Sequence, residues 1–378
     1  MAHVERRGHR WRARYRSPEG LERSRTFDRR ADADRFLATV EVDKARGSWV
    51  DPLDGRRTFG DYAADWQRLQ VHRPTTAAQV ETHLRRHVLP FFGDRAIAVI
   101  RPSEVQAWVK HRSEVLAPAT VEVVYRYLAA ILLAAVKDRV IAHSPCVDIR
   151  LPKIAPRRVT PLEVDQVEAL TATVPSRYRA LVVLAAGTGL RQGEALGLTL
   201  PRVDFLRRSV RVEQQLVLLP GRPPFLGPPK TAASHRTVPL PDVVLEALAG
   251  HLAAHPAVDV DGLGPLLFTD ERGRAIRRNR MADFWRRAAR SVGLADGSGF
   301  HELRHFYASL LISHGESVKV VQSRLGHATA SETLDTYGHL WPDSDDRTRQ
   351  AVDEVLGACG SARQTPSDTL ADRPARSL

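Results

Sequence analysis

Cysteine is almost missing from this chain of 378 residues: only Cys146 and Cys359 occur, far apart and in no ligand-like spacing. That excludes a disulfide framework and a cysteine zinc site, and it makes a reducing cytoplasm the expected compartment. Long hydrophobic runs are lacking too. The longest strongly apolar stretch, LAAILLAAV from Leu128 to Val136, is closed by Lys137 and Asp138. It is about half the roughly 20 residues that a membrane span needs, and it reads as a buried core helix with no membrane partner expected. The N-terminal MAHVERRGHRWRARYR has no apolar segment, which excludes a secretory signal. There is no Walker-type glycine loop to cradle a nucleotide, and lysine is scarce beside arginine.

What is abundant is positive charge. Fifty-six Lys and Arg stand against 44 Asp and Glu, a formal net charge of +12. With 26% charged and 43% hydrophobic residues the composition is that of a globular protein, long enough for two or three domains. The basic excess points to a polyanionic partner, most simply nucleic acid. Arginine enrichment from base composition is the plainer explanation to set beside it.

The expected fold class is mainly α with small β-sheets. In HRWRARYR, residues 9–16, Arg10, Arg12, Arg14 and Arg16 share one face while Trp11, Ala13 and Tyr15 share the other, the period of a half-buried strand. A turn at Ser17–Gly20 and a return strand LERSRTF follow, then a helical pattern from Ala31 to Arg46. The first 30 residues hold ten arginines, no lysine and four acids, net +6. A two- or three-stranded ribbon with an arginine face fits a DNA major groove, against the alternative of a merely solvated hairpin. This module is expected over residues 1–50. Four helical segments are then expected between residues 58 and 150, with a capping box at Ser103 and Gln106 and Pro118 opening the last helix. Proline-rich linkers, one around Pro52 and one through Pro152, Pro156 and Pro161, separate the modules.

From residue 159 to 356 a mixed, mostly helical module follows. RALVVLAAGTGLRQGEALGL reads as a buried helix that ends at Gly187–Thr188–Gly189 and restarts, holding Arg191 behind a glycine turn with Glu194 three residues on. VDFLRRSVRVEQQLVL and HRTVPL read as strands, and Lys230 is placed at the tip or entry of the hairpin between them. Helices are expected at 242–255 and 279–292. Then His301, Arg304, His327 and Tyr337 gather in one short region, a basic set suited to a phosphodiester. The same region spells HELRH, in which His301 and His305 with Glu302 match a zinc-protease helix. Its third-ligand extension is absent, with Glu316 and Glu332 as distant substitutes.

The succession GTGLRQGEALGL, PKTAASHRTVPL, HELRH, LGH and TYGHL resembles the tyrosine recombinase, or phage integrase, family. That family has an Arg, a hairpin Lys, a His-x-x-Arg pair, a His or Trp and a nucleophilic Tyr in this order. All six match, as Arg191, Lys230, His301, Arg304, His327 and Tyr337. The resemblance implies an arm-type DNA-binding domain (1–50), a core-binding domain (58–150) and a catalytic domain (159–356). It further implies a metal- and ATP-independent reaction through a 3′-phosphotyrosyl intermediate, with double-stranded DNA at core and arm sites and a homotetramer in synapsis. A directionality factor or a DNA-bending host protein are further candidate partners, and integration of a phage or other mobile element is the expected outcome.

Chemistry explains the residue types. Two planar guanidiniums, Arg191 and Arg304, suit the non-bridging oxygens of a pentavalent phosphorus. Tyrosine has a reference pKa near 10 and needs a positive site and a base; His301 is the candidate base or proton relay, and His327 a donor to phosphate. The resemblance assigns the leaving-group proton to Lys230. Glu194 and His305 are supporting residues. Tyr337, beside Gly338 and near a chain break, is expected to reach DNA, whereas Tyr307 in FYASLLI is expected in the core. A catalytically silent DNA-binding protein on this scaffold, a type IB topoisomerase and the zinc protease are the alternatives. A short helix is expected in DRTRQAVDEVLG, and a disordered tail over 360–378.

Overall fold

The computed structural model describes residues 2–18, 20–45, 49–51, 54–155, 158–341, 348–350 and 352–356. The linker prolines Pro52 and Pro156 and the tail 360–378 lie outside the described residues. The chain divides into two compact units, Met1–Pro156 with Leu219–Arg222, and Arg157–Leu218 with Pro223–Leu378. The N-terminal and helical modules separated in the sequence thus fall in one unit, though each keeps its own hydrophobic cluster.

The first cluster sits beneath an antiparallel sheet of strands His3–Arg7, Arg10–Arg16 and Glu22–Phe27, with the middle strand central. Alternation sends Ala13 and Tyr15 inward against Leu37 and Val40 of helix Arg30–Ala45. The arginines face outward, and several are paired: Arg10 with Asp28 at 3.0 Å, Arg12 with Glu5 at 3.6 Å, and Arg14 with Glu22 at 2.5 Å. The acids come from the flanking strands and their ends. The arginine face is therefore partly neutralised from within the module, which the one-strand alternation did not reveal.

The second cluster is a helical bundle of Phe59–Leu69, Pro74–His83 continuing to Phe92, Pro102–Ser113 and Pro118–Lys137. Thr58 caps the first helix, its hydroxyl accepting from the Asp61 amide at 3.1 Å. The expected cap at Ser103 is corrected: Arg101 is the N-cap, and its amide donates to Glu104 Oε2 at 2.9 Å. Gln106 instead ties down Arg150, bonding both its amide and its carbonyl. Pro118 does open the last helix. That helix is long and apolar enough to cross a membrane by length and composition. Val121, Val124, Leu128, Ile131 and Leu132, however, are fully buried in the bundle core, each burial stabilising by about 1.5–3 kcal/mol. Residues Leu84–Val88 form a π-turn just ahead of Pro90, which has no N–H to continue the α ladder. Trp108 Nε1 takes up the His87 carbonyl at 2.8 Å.

In the second unit, helix Ser176–Thr188 is central and packs against helices Val164–Thr173, Asp242–Ala254 and Glu302–Ser313. Tyr178 stacks on Phe284 of helix Arg278–Ser291 with centroids 4.3 Å apart. Strands Val203–Asp204, Ser209–Val212 and Arg236–Pro239 form one antiparallel sheet. The expected long strand 203–218 is broken, and its end Gln215–Val217 pairs with Phe225–Gly227, a strand hidden in a proline- and glycine-rich stretch. Lys230 accordingly follows this inner hairpin and lies at the entry to strand Arg236–Pro239, the second of the two places expected for it, and not at a tip. Helices Val318–Leu325 and Ala330–Tyr337 come next, and residues 348–350 and 352–356 are helical.

Candidate active site

Gly189 ends helix Ser176–Thr188 in the left-handed region at φ 63°, where a Cβ would meet Tyr307 Cδ1 at 2.5 Å. The sharp exit delivers Arg191 to the N-cap of helix Gln192–Leu196, where its amide donates to Glu194 Oε2 at 3.0 Å. The guanidinium is fixed on three sides. Nη1 donates to Glu194 Oε1 at 2.9 Å and to Ser234 Oγ at 3.1 Å, and Nη2 donates to the Gly326 carbonyl at 3.2 Å. Glu194 is 3% exposed. Its burial opposes ionisation, but hydrogen bonding and charge from Arg236, with Arg191 beside it, hold its pKa below the usual carboxylate value.

Arg304 lies on the first turn of helix Glu302–Ser313 and is 2% exposed. It donates to the carbonyls of Gly189 at 2.8 Å and Leu325 at 2.7 Å. Burial and the charges of Arg191 and Arg236 lower its pKa, although a guanidinium remains protonated at neutral pH. One small pocket of about 300 Å³ is lined by Arg191, Lys230, His301, Arg304, His327 and Glu332, among others. Five of the six expected residues, drawn from four separated segments, therefore share one polar, positive concavity. Lys230 is exposed at its rim.

His301 stands at the start of the helix with its side chain accessible from the pocket. Desolvation, then the neighbouring His305, Arg304 and Arg191, push its pKa down to about 4. His327 is buried, its Nδ1 2.8 Å from Thr333 Oγ1, and desolvation with the charge of Arg304 pushes it likewise down to about 4. Both imidazoles are neutral at pH 7. An imidazole in the unfolded chain titrates near 6.5. Between that value and about 4 the unfolded state binds more protons than the folded one, and stability falls as pH drops through this window. We expect the melting temperature to decline from pH 6.5 to 4, with a shallower decline in His301→Gln/His327→Gln. An equal decline in the double variant would remove these two residues as its source.

Tyr337 differs from expectation. It ends helix Ala330–Tyr337 at 1% exposure, among Ala308, Ile312, Val321 and Leu325. Its hydroxyl is 2.8 Å from His305 Nδ1, and its ring lies nearly parallel to that of His327, centroids 6.3 Å apart. Burial, reinforced by Glu302 and Glu332 and opposed by Arg304, pushes its pKa up to about 12. The ring completes an apolar cluster, which is why a position beside Gly338 is nonetheless enclosed. Tyr307 is in the core, as its apolar context suggests, at 5% exposure. His305 has Nδ1 engaged by Tyr337, and among the described residues no group of three or more His, Cys, Asp or Glu is disposed to hold a metal. Among the described residues the zinc-helix alternative thus finds no third ligand.

Sequence reasoning missed Arg236, Ser234, Thr231 and Thr333. The signal for Arg236 was present: it is in phase with Val238 and Leu240, which places a charge on the buried face of a strand.

The model of the phage integrase family matches residues 160–343, and that of the phage integrase central domain matches residues 59–151. The chain belongs to the phage integrase family. As a member it is a tyrosine site-specific recombinase. Among its relatives, a putative prophage phiRv2 integrase of Mycobacterium tuberculosis is 29% identical over 86% of this chain and 88% of its own length. The integrase of Mycobacterium phage D29 is 27% identical over 88% and 90%. The fold is shared with the Tn1549 transposon integrase solved with a circular intermediate DNA (TM-score 0.66, 21% identity, 79% of this chain and 99% of that one). It is also shared with a lambda integrase tetramer bound to a Holliday junction (TM-score 0.60, 18% identity, 87% and 96%). This integrase thus matches relatives along nearly their whole length.

Proposed function

We propose that this recombinase cuts and rejoins double-stranded DNA through a 3′-phosphotyrosyl bond to Tyr337, integrating a phage or other mobile element. The observation that carries the reading is the single pocket shared by Arg191, Lys230, His301, Arg304 and His327. A scissile phosphate seated there places its non-bridging oxygens on Arg191 and Arg304, the charge-assisted donors that offset negative charge developing at phosphorus. Tyr337 Oη forms a bond to phosphorus as the bond to the 5′ oxygen breaks. The tyrosine proton passes to neutral His301, and Lys230 protonates the departing 5′ oxygen, leaving a free 5′-hydroxyl. Rejoining is the reverse, with an incoming 5′-hydroxyl displacing the tyrosine. His327 is assigned the tautomer with its proton on Nε2, which it donates to phosphate while Nδ1 accepts from Thr333 Oγ1, 2.8 Å away. Glu194 orients Arg191, and His305 holds Tyr337 before reaction. Because Tyr337 is enclosed, attack requires that its ring leave His305 and turn toward the pocket.

Residues 58–150 would hold the core site and the sheet of residues 1–50 the arm site. Arg10, Arg12, Arg14 and Arg16 are the proposed arm contacts. Exposed ion pairs such as Arg10–Asp28 contribute only about 0–1 kcal/mol, so phosphate can displace them. Synapsis would join four copies, with a directionality factor or DNA-bending host protein as accessories, in the cytoplasm. The test is incubation with nicked duplexes built from short repeats flanking the coding region, where loss of the short fragment traps the adduct. A covalent protein–DNA species resistant to denaturant is expected. A duplex that the protein binds tightly but never captures would overturn the reading.

A further inference from the structure

Three consecutive carbonyls at the end of helix Val318–Leu325 accept hydrogen bonds from three arginines of three other segments. Arg236 Nε donates to the Arg324 oxygen at 2.8 Å, Arg304 Nη2 to Leu325 at 2.7 Å, and Arg191 Nη2 to Gly326 at 3.2 Å. The last carbonyls of a helix have no intrahelical donor and carry its negative partial charge, which suits guanidiniums. Two of these arginines line the pocket. Arg236 does not: its side chain is 5% exposed and turned away into the protein.

Its remaining donors explain its place. Nη2 donates to Glu194 Oε2 at 2.8 Å, while Nη1 donates to Glu194 Oε1 at 3.3 Å and to the Ser234 carbonyl at 2.9 Å. Ser234 Oγ in turn accepts from Arg191 and lies 2.9 Å from Thr231 Oγ1, the residue after Lys230. Gly326, at φ 66°, presses on this guanidinium: a Cβ there would come within 3.1 Å of Arg236 Cδ and Nη1. Arg236 therefore joins Glu194, the segment that carries Lys230, and the helix end. We propose that Arg236 is a positioning residue for strand cleavage, locking Arg191 and the Lys230 segment to one helix terminus. It also shares the charge of Glu194, so that Arg191 is not wholly neutralised before phosphate arrives. This inference rests on the cleavage reading above.

The experiment uses the full chain and the nicked duplex that wild-type protein captures. Arg236→Met keeps length without donors, and Arg236→Lys keeps charge without the planar fork. At saturating DNA the adduct should form about 10²-fold more slowly in Arg236→Met, the scale of an ångström-sized misplacement, with DNA affinity unchanged and partial recovery in Arg236→Lys. A duplex with sulfur in place of the scissile 5′ oxygen supplies a leaving group that needs no proton. It should regain much of the lost rate in both variants, because misplacement of Lys230 then matters less. Combining Arg236→Met with Glu194→Gln should give less than the product of the single losses. An unchanged adduct rate, a loss confined to DNA affinity, or equal losses on the oxygen and sulfur duplexes would overturn the proposal. If Arg236→Met does not fold, Arg236→Lys on the two duplexes decides alone. A wild-type protein that binds but never captures DNA would count against the cleavage reading itself.

Discussion

Tyr337→Phe yields a protein that binds its DNA site and never becomes covalently joined to it. The substitution removes one oxygen and leaves the ring, which is 1% exposed and packed among Ala308, Ile312, Val321 and Leu325. Stability should fall only by the one hydrogen bond to His305, about 1 kcal/mol. Adduct formation, by contrast, loses the hydroxyl whose ring lies against His327 of the basic pocket; Tyr307 has its ring against Gly189 and lines a separate, apolar hollow. The measurement is denaturing electrophoresis of the protein with nicked duplex, beside a mobility-shift titration. Adduct retained in Tyr337→Phe would remove Tyr337 as the nucleophile and return Tyr307 to consideration.

Arg304→Ala should lose both structure and rate, and Arg304→Lys chiefly rate. At 2% exposure Arg304 is the partner of two carbonyls, Gly189 and Leu325, that lie on different segments. Removing it leaves two buried acceptors, each costing about 1–3 kcal/mol when unsatisfied. Lysine restores a charge but presents a point donor where a fork spans both carbonyls and the pocket. We expect Arg304→Lys to fold and to form adduct about 10²–10³-fold more slowly, the effect of deleting one donor to a developing oxyanion. Thermal melting separates the two variants, and single-turnover capture measures the rate. Capture by Arg304→Ala within a few fold of wild type would exclude Arg304 from the phosphate clamp.

Much of the site was legible because its chemistry uses uncommon residue types in fixed local contexts. GTGLR, HELRH and LGH each announce a turn or helix start, and the structure brings Arg191, His301, Arg304 and His327 to one pocket with Lys230 at its rim. What the sequence concealed was burial. HELRH gives no hint that Arg304 would be enclosed by carbonyls of distant segments, since that depends on how helix Val318–Leu325 ends. Nor did TYGHL reveal that Tyr337 would be stored against His305, a pairing across 32 residues. In the N-terminal module, alternation of one strand correctly separated Ala13 and Tyr15 from the arginines, but the acids opposite them belong to neighbouring strands and depend on register. The short strand Phe225–Gly227 was hidden by flanking prolines, which local propensity reads as loop.

The terminus of helix Val318–Leu325 sets a mechanical rule for change in this protein. Three guanidiniums from three segments meet successive carbonyls, so a displacement of this one helix end reaches all three at once. Substitutions on the solvent side of that helix leave the arrangement whole. Inserting one residue before Gly326 would instead rotate the terminus by about 100° and scatter all three partners at once. Anyone exchanging DNA-reading segments between such proteins should therefore carry residues 318–327 across as an uncut block, with Arg191, Arg236 and Arg304 kept as its fittings.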